Sequence, residues 1–83
     1  MKPSPHVRTL SDDDGAVLLD LRAGIYFSLN KIATAVWEAV GRGESRHEIL
    51  RLLCDRFDGT ASEISESLDR FVDELGRRGL LED

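Results

Sequence analysis

A single cysteine, Cys54, stands in a chain of 83 residues. One thiol excludes an internal disulfide framework, and no CxxC or HxxxH spacing offers a metal its paired ligands. Positive charge is also scarce: Lys and Arg number 11 against 16 Asp and Glu, for a formal net charge of −5. A duplex-binding module needs a basic face to displace counterions from phosphates, so nucleic acid is not an expected partner. No apolar run approaches a membrane span, and the opening MKPSPHVRTL lacks the long apolar stretch of a secretory signal. These absences lead to the expectation of a cytoplasmic protein without a membrane partner.

Length is the next shortage. A chain of this size buries only about two-thirds of its unfolded surface, so a large enclosed active site is hard to build. No Gly-rich phosphate loop is present, because Gly41-Arg42-Gly43 follows a helical pattern and acts as its stop. The thiol has no base beside it. His47 lies two predicted helical turns before Cys54, about 10 Å away along the axis, and a nucleophilic pair needs hydrogen-bond reach. Cys54, among Leu52, Leu53 and Phe57, therefore reads as a small buried hydrophobe. Neither an autonomous enzyme nor a cofactor site is expected.

What the chain does contain is 41% hydrophobic and 33% charged residues, enough for one small core and a single domain over 1–83. Residues 1–5 hold both prolines and read as a loose end. Three short strands follow. The first runs from His6 to Leu10, and Ser11-Asp12-Asp13-Asp14-Gly15 supplies a turn through Asp side chains and a permissive glycine. The second covers Ala16 to Leu21, where alternation with Val17, Leu19 and Leu21 inward would send Asp20 to solvent. After the turn Arg22-Ala23-Gly24, Ile25-Tyr26-Phe27-Ser28-Leu29 has the strongest strand composition in the sequence.

From Asn30 the periodicity changes. Asn30 is a good N-cap, and Ile32, Ala33, Val36, Trp37 and Val40 fall at helical spacing behind it. Ser45 with Glu48 forms the capping box of a second helix, whose apolar face is Ile49, Leu50, Leu52, Leu53 and Phe57. Asp58-Gly59 ends it. Thr60 with Glu63, or Ser62 alone, starts a third helix with a stripe of Ile64, Leu68, Phe71, Val72 and Leu75. Leu80-Leu81 is expected to fold back onto the core. Residues 61–83 carry seven acids against three bases, so this third would favour a neutral or basic partner, or is simply a solvated face. The predicted fold is α+β and winged-helix-like, a three-stranded antiparallel sheet followed by three helices.

Three helices and a small sheet also suit a winged-helix DNA-binding regulator. Arg46, Arg51 and Arg56 recur every five residues, which spreads them around the second helix rather than along one face, and the third helix is acidic. Another reading is an accessory subunit that only holds an enzyme. A third starts from the strand Ile25–Leu29. An outer strand of a meander exposes unpaired amides and carbonyls, and this one lacks the Lys, Pro or bulge that usually blunts an edge. Such an edge is either covered by the chain's own helices or kept open to receive a peptide strand.

Gly24-Ile25-Tyr26-Phe27-Ser28-Leu29-Asn30-Lys31-Ile32-Ala33, followed by Val36-Trp37, resembles the G-x-Y-x-x-L-N-x-x-A-x-x-I/V-W core of PqqD-like proteins. These are the precursor-peptide recognition elements of ribosomally made, post-translationally modified peptide (RiPP) pathways. The resemblance runs over roughly residues 6–81 and is nearest to the stand-alone version in lasso-peptide biosynthesis. It implies a non-catalytic protein that binds the precursor's leader peptide as an added antiparallel strand. The receiving strand would be Ile25, Tyr26, Phe27, Ser28 and Leu29, and the groove wall would be Ser65, Leu68, Asp69, Val72 and Gly76. In such systems the leader presents a Tyr and a Pro to apolar pockets, a separate leader peptidase cleaves it and a cyclase closes the ring. Leu29, Asn30 and Trp37 read as structural; Tyr26 reads either as the partner-facing aromatic or as simple cross-strand packing.

Overall fold

Strand β3 (Gly15–Asp20) is the centre of a three-stranded antiparallel sheet, between β2 (Val7–Asp12) and β4 (Ile25–Leu29). A computed structural model describes residues 1–82. Three helices follow the sheet: α1 (Lys31–Gly41), α2 (Arg46–Arg56) and α3 (Ala61–Arg77). This is the expected α+β, winged-helix-like order. Two further strands, β1 (Lys2–Pro3) and β5 (Leu81–Glu82), pair antiparallel and bring the two ends of the chain together.

The alternation of β3 has the opposite phase to the one predicted. Ala16, Leu18 and Asp20 are buried, with Leu18 fully so, while Leu19 and Leu21 are exposed. The register carries that phase across the sheet: Leu18 lies opposite Thr9 on one side and Phe27 on the other. Burying an acid is costly unless its oxygens find donors. Asp20 finds them in the next turn, where its Oδ1 accepts from the amides of Arg22 at 2.9 Å and Ala23 at 3.1 Å. The turn closes with Gly24 donating its amide to the Asp20 carbonyl at 2.8 Å, at a φ of +72° that glycine tolerates. Side-chain capping of a turn, invisible to a polarity pattern, reverses the alternation.

The helices begin where the sequence indicated. The Asn30 side chain accepts from the Ala33 amide, and both capping boxes, Ser45 with Glu48 and Thr60 with Glu63, are formed. The helices bury their faces in two connected clusters. One lies beneath the sheet, where Trp37 meets Leu18, Leu29, Leu75 and Leu80. The other lies among the helices around Val36, Ile49, Leu53 and Leu68, and Phe71 packs against both. The Trp37 indole N–H donates to Thr9 Oγ at 2.8 Å, tying α1 to β2. Leu80 is buried as expected. Cys54 is exposed, a correction to the buried placement expected for it: α2 turns Leu53 inward, and the neighbouring position is carried outward by the helical step.

Residues 1–5 also depart from the sequence reading, since they are tied down. Beyond the β1–β5 pairing, Ser4 is buried, its amide donates to the Leu80 carbonyl at 2.9 Å, and its hydroxyl donates to the Gly79 carbonyl at 2.9 Å. Ser4→Ala is expected to cost about 1 kcal/mol in urea unfolding; an unchanged midpoint would restore the loose-end reading. Asp20 gives a pH-dependent prediction. The Ala23 amide, then the Arg22 amide and the nearby His6 and Arg22 charges, hold its carboxyl below the usual range against an opposing effect of burial. A group with a depressed folded pKa stabilises above its unfolded value, about 3.9, and loses that contribution as pH falls through the folded value. Asp20→Ala should therefore lower the melting midpoint at neutral pH, by a margin that narrows below about pH 4. A margin constant with pH would show that ionisation of Asp20 contributes nothing.

Candidate functional site

The sheet has two edges, and they differ in chemistry. The outer edge of β2 carries Arg8 and Asp12 within the strand and follows Pro5, devices that discourage strand addition. β4 carries no charge and no proline, and no strand of the described residues pairs with its outer side. Its first two side chains are open, Ile25 at 48% and Tyr26 at 71% exposure. Tyr26 and Ser28 stand on the solvent face opposite Leu19 and Val17, whereas Phe27 and Leu29 turn inward opposite Leu18 and Ala16. Leu29 is buried, as expected, and Phe27 is half-buried.

Both ends of β4 are fixed. Asp20 organises the turn that enters it, and the Asn30 cap converts its exit directly into α1. Gly15 lies against that exit, where a Cβ would collide with the Leu29 carbonyl oxygen. A side chain at position 15 would push β4 off its register. The edge is thus held straight by local hydrogen bonds and one glycine.

Beside this exit lies a cavity of about 370 Å³ between the start of α1, the α2–α3 corner and α3. Its walls are apolar, with Ile32, Ala33 and Val36 from α1, Leu53 and Phe57 from the α2 end, and Ile64, Leu68 and Phe71 from α3. Asn30, Asp58, Glu63 and Ser67 add polar groups. Ile32 is 46% exposed at this site. At the far end of α3 the Arg78 guanidinium lies over the Phe27 ring, 4.8 Å from its centroid. Glu74 holds that guanidinium in an ion pair, and Arg78 in turn keeps the Glu74 carboxyl below the usual range, with Arg77 adding to the effect.

The residues expected to form the groove wall lie along one face of α3 by helical spacing, and their neighbours differ along it. Leu68 is buried and lines the cavity. Ser65 and Asp69 face α2, where Arg46 donates to Ser65 Oγ and Asp69 Oδ1, each at 2.7 Å. That bond to Arg46 lowers the Asp69 carboxyl below its ordinary range. Val72 packs in the interhelical cluster with the α2 residues, and Gly76 is exposed past it. The row of α3 next to the cavity is one ridge over, at Ile64, Ser67 and Phe71, continuing to Arg78 over β4. The apolar stripe of α3 is wide because it packs on both the sheet and α2, so its periodicity gives the buried side but not which border meets which neighbour. Ile32 was in view as an apolar helical position, and only its exposure marks it as part of the site.

Comparison with known proteins agrees with this architecture. A family model described as "Coenzyme PQQ synthesis protein D (PqqD)" matches residues 15–81. No curated protein is similar enough to match the chain. Among solved structures, TbiB1 in complex with the TbiA(beta) leader peptide superimposes with a TM-score of 0.93 at 30% identity, over 99% of this chain and 95% of that one. A lasso peptide synthetase B1 complexed with the leader peptide superimposes with a TM-score of 0.89 at 23% identity, over 99% of this chain and 96% of that one, and shares the fold. The family match begins at Gly15, the glycine packed against the exit of β4, and runs through all three helices to Leu81. On that span, this chain belongs to the PqqD family.

Proposed function

We propose that this protein is a non-catalytic leader-peptide binding protein of a lasso-peptide pathway, which captures a precursor by strand addition and delivers it to a leader peptidase. The observation that carries the reading is the uncharged, unpaired edge of β4, whose exit at Asn30 borders a largely apolar cavity. Membership of the PqqD family supports it, as does the close fit to a protein solved with a leader peptide.

The chemistry of capture follows from the edge. A leader laid antiparallel along Ile25, Tyr26, Phe27, Ser28 and Leu29 gains main-chain hydrogen bonds whatever its sequence, and pockets for alternate side chains supply selectivity. One set of side chains turns toward α3, where the wall is Ile64, Ser67, Leu68 and Phe71 together with Ile32 of α1. Of the wall first drawn from the sequence, Ser65 and Asp69 bond to Arg46 of α2, Val72 packs in the cluster between the helices, and Gly76 is exposed. The other set adjoins Tyr26 on the solvent face. An aromatic leader side chain can pack on the apolar wall of this cavity. In this reading cleavage falls to the leader peptidase, acting on a leader held along β4, and ring closure to the cyclase.

Titration of a labelled cognate leader, followed by fluorescence polarisation, is expected to give micromolar or tighter binding. N-methylation of alternate leader amides, which removes main-chain donors while keeping the side chains, should weaken it at least about tenfold, in line with a loss of about 1.4 kcal/mol. Ser67→Tyr, which fills the cavity from an exposed position, should weaken binding by a similar factor, whereas Asp69→Ala should leave it within about twofold. Failure of the folded protein to bind the cognate leader would overturn the function. Only one of the two alternate sets of leader amides faces β4, so binding that tolerates N-methylation of each set in turn would overturn strand addition alone.

A further inference from the structure

A strand added to β4 sends alternate side chains to the helix side of the sheet, and at Phe27 that side carries a charge. Phe27 turns inward opposite Leu18 and is only half-buried. Arg78, the C-cap of α3, lies over its ring with the guanidinium 4.8 Å from the centroid. On an added strand, the residue across from Phe27 stands about 5 Å away on the same face, and its diagonal neighbours about 7–8 Å away. The guanidinium therefore lies beside the path of a leader side chain.

The bonds of Arg78 hold it in place and leave its outer end unused. Its Nε donates to Glu74 Oε1 at 2.5 Å, while Arg77 donates to Oε2 of the same carboxylate at 2.8 Å. Among the described residues, neither terminal nitrogen of Arg78 has an acceptor. Arg46 differs, since Asp69 takes its Nε and Ser65 its Nη2. A helix C-terminus favours a cation whatever else is near. That accounts for Arg77, whose side chain is 74% exposed, but not for Arg78 resting on the strand. A guanidinium bonded at Nε and stacked on a ring has already lost much of its freedom, so its two terminal nitrogens can take a carboxylate at reduced entropic cost.

The charges at the two ends of β4 favour an acid at this end. Glu74 offsets only one of Arg77 and Arg78, which leaves the local balance positive. The cavity at the exit of β4 is lined by Asp58 and Glu63 and by no base. On the reading of strand addition along β4, we propose that Arg78 is a specificity-determining residue that binds an Asp or Glu side chain of the leader. Antiparallel pairing fixes where that acid stands. β4 runs from Phe27 toward the cavity, so the leader runs the other way. Its acid then lies roughly two or four positions C-terminal to the residue in the cavity, an even step that keeps both side chains on one face.

A charge scan of the labelled cognate leader tests this. Each position of the segment paired with β4 is replaced in turn by Gln, Glu and Lys, and each peptide is titrated by fluorescence polarisation against the parent, Arg78→Gln and Arg78→Glu. At one position Glu should bind the parent about fivefold tighter than Gln. That preference should vanish in Arg78→Gln and become a preference for Lys in Arg78→Glu. The leader with Gln at that position should bind the parent and Arg78→Gln within about twofold, which a merely structural role for Arg78 would not allow. A preference for Glu at no position, or one that survives Arg78→Gln, overturns the proposal and leaves strand addition standing. So does an equal preference at neighbouring positions, which is general attraction to a positive surface. Failure of every peptide to bind the folded parent overturns strand addition, and the role of Arg78 with it.

Discussion

The inward turn of Leu18 sets the phase of the whole sheet. Its side chain is fully buried against Trp37 and the ends of α3, and the antiparallel register transmits its orientation to Thr9 on β2 and Phe27 on β4. Period-two geometry then leaves no freedom: with Leu18 inward, Asp20 must also be inward and Leu19 outward. The alternative phase would solvate Asp20 and bury two leucines, which is why it is the natural reading of a bare hydrophobic pattern. The observed phase prevails because Asp20 keeps its hydrogen bonds in the protein, from the two amides of the following turn, while Leu18 and Ala16 fit beneath the helices. The buried acid also fixes the turn from which β4 starts. One arrangement therefore sets the core, the entry of the edge strand and the apolar outer face.

The helices decide what remains open. α1 leaves β4 with only the Asn30 cap between them, so it cannot reach round to cover the outer edge of the strand it follows. α2 and α3 pack mainly on each other and on α1, with the Arg46–Asp69 pair and the Val72 contacts closing one side of α3. The other side of α3 borders the cavity, and beyond its end Arg78 reaches over β4, resting on Phe27. Among the described residues no further helix seals the gap. Shortage of covering elements is a sufficient physical reason for an open strand beside an apolar cavity.

Much of this was legible in the sequence, and the exceptions have a common cause. Asn30, Ser45 and Thr60 act through neighbours three residues away, so their caps can be read from sequence and all three formed. The composition of Ile25–Leu29 likewise marked an unprotected edge, and the strand has those bounds. What failed needed partners far along the chain. Ser4 is ordered by Gly79 and Leu80, which no local pattern near Pro3 and Pro5 announces. The border of α3 that meets α2 is marked by Arg46 gripping Ser65 and Asp69, which the periodicity of the α3 stripe does not announce. Asp20 is the intermediate case: its donors are only two and three residues away, yet an acid in an apolar run is read first as a solvent-facing break.

On the proposed reading, the same economy shapes recognition. Most of the apolar surface of so small a chain is committed to holding two clusters together, and little is left for an elaborate side-chain interface. Main-chain pairing escapes that limit, because β4 offers donors and acceptors that exist whatever its side chains do. Selectivity then rests on a few positions, the cavity and the row of α3 beside it. Binding also returns stability to the holder. A ligand that binds only the folded state, present at 100 times its dissociation constant, adds about 2.7 kcal/mol, a large share of the 5–15 kcal/mol typical of a domain. Here that gain would fall on the edge and the α1–α3 gap, the parts that the chain's own elements leave uncovered. A filled edge would therefore be a completed fold as well as an occupied site.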